Sequence, residues 1–229
     1  VVVPIWDSSK KITGIIDVLN KRAYEMQNLK RVEISVPGDK ESVIEEFNDA
    51  LKEAVAETDE ELMDRFFEGE DFTYAEMIKG LHQGVRDLSL FPVLCGSGTT
   101  CLGSLMLMDH IIDLLPNPME GNYHKATTAD GKVEEFVVSP GGVPSAFVWK
   151  TVSDQYGKYS FIKVLSGEIT SDTTLINART GETEKLGRLY NMCGKKSTEV
   201  KALSCGDIGA IGKMDKVKTG DTLCDPRKV

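Results

Sequence analysis

The residues best suited to chemistry in this sequence are five cysteines and three histidines. No two cysteines are separated by two residues, and no histidine lies at a metal-ligand spacing from a cysteine or from another histidine. The spacing therefore predicts no metal site, and no metal ligand is assigned. An odd number of cysteines in a chain of 229 residues indicates reduced thiols instead of a disulfide framework.

A nucleophile set can nevertheless be assembled on paper. It would take Cys95 or Cys101 as the thiol and His110 as the base. Either Asp109 or Asp113 would orient the base. No spacing brings these residues together, and Cys95 ends an apolar run, where thiols are usually inert core residues. The inert interpretation is favoured, so a small cysteine-dependent enzyme is kept only as an alternative and no catalytic residue is assigned.

Motifs that bind nucleotides are largely missing. No pair of glycines has the G-x-x-x-x-G-K-[ST] spacing of a phosphate-binding loop. The N-K-x-D motif, which pairs with a guanine base, is also missing, because residues 20–23 are Asn-Lys-Arg-Ala and lack the carboxylate. One D-x-x-G tetrapeptide at residues 154–157 lies at a predicted hairpin turn and is interpreted as coincidence.

A small-residue loop, Gly96-Ser97-Gly98, follows an apolar run at residues 88–95. The run predicts a strand that is buried on both faces, as in a parallel sheet. Small residues after such a strand leave backbone amides open at the edge of the sheet where α/β proteins bind ligands. By itself the pattern is weak, since a plain turn from a strand to a helix is its commoner meaning.

A mixed first lobe of strands and helices would position these residues. β-branched runs predict its strands, and apolar residues spaced three and four apart predict its helices. Thr73 and Glu76 form a capping-box pattern that marks the start of one helix. The predicted strands span residues 12–19, 31–36 and 88–95, and the predicted helices span residues 43–55, continued at 62–67, then 73–87 and 101–115.

The helical period disappears after residue 145. Short alternating runs separated by Gly, Asp and Ser predict an all-β barrel or sandwich there. Residues 117–144 predict a connector with one hairpin around Asp130-Gly131. The predicted strands of the second lobe span residues 146–152, 159–165, 173–178, 184–188 and 208–211.

Charge is distributed unevenly along the chain. Residues 1–144 carry 13 basic and 26 acidic side chains, whereas residues 145–229 carry 14 basic and 10 acidic ones. The acidic part favours a basic protein partner, and the basic part suits contacts to phosphates. Taken alone, the uneven distribution of charge is explained more simply by solvated surfaces than by binding partners. Basic residues cluster on predicted turns of the second part, at Arg188 with Lys195 and Lys196 and at Lys213, Lys216 and Lys218. Aromatic residues are few there, so contacts to a phosphate backbone are expected instead of base stacking.

The sequence lacks the features of secretion and of membrane insertion. No apolar run approaches the ~20 residues that a membrane helix needs, and the first residues lack the basic leader of a signal peptide. A cytoplasmic location is therefore expected. The chain starts without Met in a predicted strand, which suggests a piece of a longer protein, although a native terminus trimmed by a few residues would look the same.

Several segments, taken in order, resemble the elongation factor G family. Residues 53–70 resemble the long helix of the family's inserted G′ subdomain. Residues 91–98 resemble its last GTPase strand and last nucleotide motif, with Gly98 in place of the usual alanine. Residues 113–118 resemble the helix end that closes the GTPase domain. Further matches, to the family's domain II β-barrel, lie at residues 146–151, 164–167, 187–192, 206–210 and 220–223.

The resemblance implies a division of the chain and a fold class. It implies a G′-like insert at residues 1–90, the last strand and helix of a P-loop GTPase domain at 91–118, a connector at 119–144 and a domain II barrel at 145–229. The expected fold class is an α+β or α/β first lobe followed by an all-β barrel. The missing phosphate loop, switches and N-K-x-D motif would lie before Val1, so an internal fragment without GTP hydrolysis is expected. The parent protein would be a GTPase that binds GTP and Mg²⁺.

The resemblance also implies which residues contact partners. Ser97 and Gly98 would be a remnant guanine contact, expected to be empty because phosphate binding needs the missing amides, lysine and Mg²⁺. The acidic side of the G′ helix would meet the basic stalk protein of the ribosome, and the barrel would rest on small-subunit ribosomal RNA. The acidic residues are Glu53, Glu57 and Glu61, and the basic residues are Arg188, Lys195 and Lys196.

An apolar edge is expected to be exposed if the rest of a GTPase sheet is missing. Such an edge would be buried by self-association or by rearrangement. An alternative to a fragment is a stand-alone, translation-factor-like interaction module. The residues of the expected apolar edge are Leu90, Val93, Leu94, Leu105 and Ile112.

Overall fold

The structure is a computed structural model that describes residues 1–120, 124–128, 130–136, 138–154 and 157–229. The chain divides into two units, Val1–Pro116 and Asn117–Val229. The D-x-x-G tetrapeptide at residues 154–157 lies partly outside the described residues, and so does the turn predicted for it.

An antiparallel sheet begins the first unit. Its strands are β1 (Val2–Trp6), β2 (Ile12–Asp17), β3 (Arg22–Gln27) and β4 (Lys30–Ile34), and they are neighbours in that same order. Ile15 belongs to an apolar cluster with Leu102 on one face of the sheet. The next residue, Ile16, belongs to a different cluster with Ile44. Because successive side chains of a strand point to opposite faces, both faces of this sheet are covered.

Helices follow the sheet, and most of them agree with the periodicity of the sequence. They are α1 (Glu41–Ala56), α2 (Glu60–Phe67), α3 (Tyr74–Arg86) and α4 (Ser104–Leu114). The predicted capping box at the start of α3 is confirmed. The Thr73 hydroxyl accepts a hydrogen bond from the Glu76 amide, and the Glu76 carboxylate accepts one from the Thr73 amide.

The continuous helix predicted through residues 53–70 is wrong. α1 ends at Ala56, and Asp59 has an extended backbone with φ −153° and ψ 131°. The Asp59 carboxylate accepts hydrogen bonds from the amides of Glu61 and Leu62, at 3.0 and 3.3 Å. An aspartate that binds the free amides of a first turn starts a new helix. The spacing of apolar residues continues from α1 into α2, so it gives no sign that the helix ends between them.

The strand predicted at residues 88–95, buried on both faces, is also wrong. Leu88 has a positive φ of 61°, and the Leu90 amide donates to the Gly84 carbonyl oxygen, which turns the chain back against α3. A strand needs a neighbour to take its backbone hydrogen bonds, and none of the described strands pairs with this segment. Val93 is 73% exposed. The apolar composition thus predicted a burial that the segment does not have.

Most of the second unit is β-structure. Its strands are β5 (His124–Thr127), β6 (Val133–Phe136), β7 (Ser145–Asp154), β8 (Gly157–Ser166), β9 (Glu168–Thr170), β10 (Thr174–Asn177), β11 (Thr183–Lys185), β12 (Leu189–Cys193), β13 (Lys196–Val200), β14 (Ala202–Ser204), β15 (Ile208–Gly212) and β16 (Thr222–Cys224). The main sheet has the hydrogen-bonded order β11-β10-β16-β7-β8-β15-β12-β13. β9 pairs with β14, and β5 pairs with β6 as the predicted hairpin around Asp130.

One apolar core fills the inside of the main sheet. Its buried side chains come from β7, β8, β10, β12, β15 and β16, and from the β9–β14 pair. Because a single cluster collects side chains from both halves of an eight-stranded sheet, the sheet curls around it as in a β-barrel. The all-β prediction for this part of the chain is confirmed.

Candidate functional site

The loop that holds the predicted guanine contact is closed by its own backbone. The Ser97 amide donates to the Leu102 carbonyl oxygen at 2.8 Å, and the two residues form an isolated antiparallel bridge. Gly96 makes this close approach feasible, since a β-carbon there would lie 2.7 Å from the same oxygen. The Ser97 amide, expected from the sequence to be open, is therefore already bonded.

The side chains of this loop also bond to one another. The Ser97 hydroxyl lies 3.1 Å from the Thr99 hydroxyl and accepts a hydrogen bond from the Thr100 amide at 3.4 Å. Gly98 is exposed and has open space around it. Gly98 can thus admit a ligand to the backbone, whereas Ser97 would have to exchange partners. The guanine contact at Ser97 and Gly98 stays a prediction.

His110, the base of the hypothetical nucleophile set, is isolated. It is 4% exposed, and neither ring nitrogen has a hydrogen-bond partner. The ring lines a cavity of about 330 Å³ together with Asp17 and Asp113. Burial lowers the pKa of the imidazole, although these two carboxylates act in the opposite direction. The ring is therefore neutral near pH 7.

The geometry gives the cysteine-dependent alternative no support. The Cys95 thiol donates to the Val2 carbonyl oxygen at 3.7 Å, and burial raises the pKa of that thiol. Because His110 lacks a partner among the described residues, it is placed to deprotonate neither Cys95 nor Cys101. Cys95 is best explained as a core residue.

The acidic residues expected to meet a basic partner lie around the junction of α1 and α2. Glu53 is in the last turn of α1, Glu57 caps that helix, and Glu61 is in the first turn of α2. All three side chains are exposed. In the part of the chain that the structure describes, none of them has an ion-pair partner. The junction therefore carries uncompensated negative charge.

Other acids of the same region have a structural explanation. Arg65 pairs with Glu76 at 2.6 Å and with Glu70 at 2.8 Å. The Arg65 guanidinium, helped by hydrogen bonds from Thr73, lowers the pKa of Glu76 to about 2. This cluster joins α2 to the start of α3, and both of its carboxylates are engaged by Arg65.

The basic residues expected to contact RNA lie at the two ends of one hairpin. Lys195 and Lys196 are exposed at the tip between β12 and β13, whereas Arg188 directly precedes β12. A strand rises ~3.3 Å per residue, so roughly 20 Å separates the two positions. Arg188 is also paired with Glu199 at 3.3 Å. The structure does not gather the three bases into one cluster.

A group of aromatic side chains on the outer face of the barrel was missed by the sequence reasoning. The ring centroids of Trp149 and Phe161 lie 5.5 Å apart, and those of Tyr159 and Tyr190 lie 5.6 Å apart. Part of this group has a signal in the sequence, because Tyr159 and Phe161 alternate with Ser160, which is buried, and so lie on the opposite face of the strand. Tyr190 joins the group because β12 lies beside β15, which lies beside β8, and no local sequence pattern predicts that strand order.

Asp221 is the centre of a buried polar network in the second unit. It is 3% exposed and accepts two hydrogen bonds from Arg179, at 2.6 and 3.0 Å. It also accepts hydrogen bonds from the Asn177 side chain at 2.8 Å and from the Lys218 amide at 2.9 Å. The Arg179 guanidinium holds the pKa of this carboxyl well below its usual range. With its oxygens engaged, Asp221 stabilises the fold and is not a free ligand.

No metal centre is found in the described ranges, since no group of three or more His, Cys, Asp or Glu side chains there is arranged to hold an ion. The helices that the structure describes are also too short or too polar to cross a membrane.

Comparison of the second unit with known families identifies its class. Residues 144–226, which contain the whole main sheet, match the family described as elongation factor G domain 2. The barrel is therefore that of a translation elongation factor.

Relatives extend this match to the first unit. The chain is 34% identical over 221 residues to elongation factor G 2 of Saccharophagus degradans, covering 94% of this chain and 32% of the relative. It is 34% identical over 224 residues to elongation factor G 2 of Vibrio cholerae, covering 95% and 32%. A crystal structure of a protein from Thermus thermophilus superposes with a TM-score of 0.81 and 27% identity, over 98% of this chain and 31% of that one. Residues 144–226 therefore belong to the elongation factor G domain 2 family, and the chain as a whole is similar to elongation factor G 2 and spans about a third of the length of these relatives.

Proposed function

We propose that the chain is an internal part of a ribosomal, translocation-type GTPase and that it carries docking surfaces without hydrolysing GTP. Two observations together support this most directly. Nearly all of the chain aligns with about a third of elongation factor G 2, and this sequence contains no phosphate-binding loop. The parent protein would bind GTP and Mg²⁺ and would act in the cytoplasm.

The proposed domain assignment follows the order of segments. Residues 1–90 would be the G′ subdomain, residues 91–118 the end of the GTPase domain, residues 119–144 a connector and residues 145–229 domain II. The family match at residues 144–226 supports the last assignment. The first two agree with a sheet-and-helix unit that ends at Pro116, although the expected last GTPase strand is not paired.

The docking surfaces are proposed from charge. Glu53, Glu57 and Glu61 would bind the basic stalk protein of the ribosome, because their carboxylates are exposed and unpaired among the described residues. Lys195 and Lys196 would approach the phosphates of small-subunit ribosomal RNA, because a hairpin tip can reach into a groove that a flat surface cannot. Arg188, paired with Glu199, would contribute less.

A second candidate function is self-association through an exposed apolar surface of the first unit. α4 is apolar on nearly every side, a pattern typical of a buried helix. Ile112 on that helix is 77% exposed and Leu105 is 42% exposed, whereas Leu90 and Leu94 are half-buried. Leu90 and Leu94 pack inside the unit, so the exposed part of the expected edge is Val93, Leu105 and Ile112, and exposed apolar side chains of this size are the kind that proteins cover.

Calorimetric titration with GTP and Mg²⁺ tests the absence of nucleotide binding. We expect no saturable heat at nucleotide concentrations up to 1 mM, roughly the upper end of what weak binding would show. The reason is that Gly98 and Ser97 offer a base contact but the chain has no amide cradle or lysine for the phosphates. A micromolar dissociation constant would contradict the proposal.

Charge reversal tests the acidic docking surface. The triple variant Glu53→Lys, Glu57→Lys, Glu61→Lys is expected to lose binding to the purified stalk protein by about tenfold or more, with a reduced dependence on salt. The matched control, with the same change in net charge, is Glu134→Lys, Glu135→Lys and Glu168→Lys, exposed acids of β6 and β9 in the other unit. Equal loss in both variants, measured by fluorescence anisotropy, would show a nonspecific effect of net charge and would refute this surface.

A further inference from the structure

The outer face of the barrel sheet carries an aromatic surface made by three neighbouring strands. Phe161 on β8 and Tyr190 on β12 both lie opposite Ala210, which is on the intervening strand β15. Tyr159 lies opposite Gly212 in the same way. A β-carbon on Gly212 would stand 3.4 Å from the Tyr190 ring, so that ring rests over the glycine. The small residues Ala210 and Gly212 on β15 thus lie between the larger rings of the two neighbouring strands.

This aromatic surface, defined as Phe147, Trp149, Tyr159, Phe161 and Tyr190, is not part of the barrel core. The core positions of β8 are the alternate residues Ser160, Ile162 and Val164, all of which are fully buried. By contrast, Trp149 is 43% exposed and Phe147 is 38% exposed. The Trp149 and Phe161 rings are inclined at 58° and the Tyr159 and Tyr190 rings at 76°, so a planar group would stack on one ring at a time.

Positive charge lies directly beside the rings. Lys150 is opposite Phe161, and Lys163 is opposite Phe147. Neither lysine has an acidic partner among the described side chains. Residues 145–229 also carry more basic than acidic residues. Exposed rings next to unpaired lysines match a ligand that combines planar bases with a negative backbone.

We propose that the aromatic surface binds unpaired bases of single-stranded RNA, while Lys150 and Lys163 contact the adjacent phosphates. The choice of RNA rests on the proposed ribosomal role, but the exposed rings and the unpaired lysines beside them are independent of that role. The binding is sequence-tolerant, because every base presents a flat face to a ring. It differs from the backbone contact assigned to Lys195 and Lys196, which lie at the hairpin tip.

The test uses the full chain with Trp6→Phe, which leaves Trp149 as the sole tryptophan. An adenosine RNA octamer is expected to quench Trp149 fluorescence saturably at low salt. An abasic octamer with the same phosphates is the matched probe. Phe161→Leu and Tyr190→Leu keep an apolar cover over β15 and should weaken binding of a labelled octamer by about tenfold. Phe67→Leu, at a 77% exposed position of the first unit, is the control variant.

Each outcome is informative. Binding that requires bases and falls in the Phe161 and Tyr190 variants, but not in the Phe67 variant, supports the stacking surface. If the abasic octamer binds equally well and the aromatic variants are unaffected, stacking is refuted while a phosphate-docking role survives. If neither octamer binds, the inference is also overturned. Binding of the stalk protein by the same sample would then show that the proposed function still holds.

Discussion

The variant Asp221→Ala is expected to lose about 3 kcal/mol of unfolding free energy in the second unit. The substitution removes a fully buried carboxylate and leaves the Asn177 side chain and the Lys218 amide without their acceptor. It also strands the Arg179 guanidinium, although that group is half exposed and can be hydrated. Urea denaturation followed by Trp149 fluorescence in the Trp6→Phe background measures the change.

The same carboxylate predicts how stability depends on pH. Its pKa is lower in the folded state than in the unfolded chain, so its contribution is complete above about pH 4 and is lost as the pH falls further. Asp221→Ala should therefore flatten the decline of stability below pH 4. Asp225→Ala is the matched control, because Asp225 pairs mainly with the exposed Arg227 and its removal should have a smaller effect. Equal losses in the two variants would refute the role given to the buried network.

The variant Leu114→Ala is expected to destabilise the first unit by about 3 kcal/mol. Leu114 is fully buried at the end of α4 and belongs to one cluster with Val55, Met77 and Leu81. Removing its side chain loses apolar burial and leaves a cavity between α1, α3 and α4 that rigid helices fill poorly. Helix content by circular dichroism reports on this unit, because the described helices all lie in it.

The matched control lies two residues away on the same helix. Ile112→Ala removes a side chain of the same size, but Ile112 is 77% exposed, so we expect a change within about 0.5 kcal/mol. The same substitution should reduce self-association in sedimentation, if the apolar surface of α4 mediates it. A large loss at Ile112 would indicate that α4 is buried in a way that the structure does not show.

The sequence predicted those parts of the fold whose signal is local. The helical period of α1, the capping box of α3 and the alternation in β7 and β8 each depend on residues within a few positions of one another. The break at Asp59 was missed because its cap interrupts the backbone while the apolar period continues. The segment at residues 88–95 was misjudged because apolar composition reports an affinity for burial and cannot report whether a neighbouring strand exists.

The candidate sites were less predictable for a related reason. Single residues such as Glu53 and Lys195 were found to be exposed, as their polarity suggests. Arg188 was expected beside Lys195 and Lys196 because they are close in sequence, but the extended strand β12 holds them at opposite ends of one hairpin. The aromatic surface was hidden by a different cause, since Tyr190 meets Tyr159 only through the position of β15 between their strands.

The position of β16 has a consequence for how the barrel is made. This short strand is near the end of the second unit in sequence, yet it pairs with β10 on one side and with β7 on the other. While a ribosome synthesises the chain, β7 and β10 must wait with open backbone edges until Cys224 has emerged. Those edges are the sites where nascent chains pair wrongly, so a chaperone or rapid elongation late in the barrel would favour correct folding.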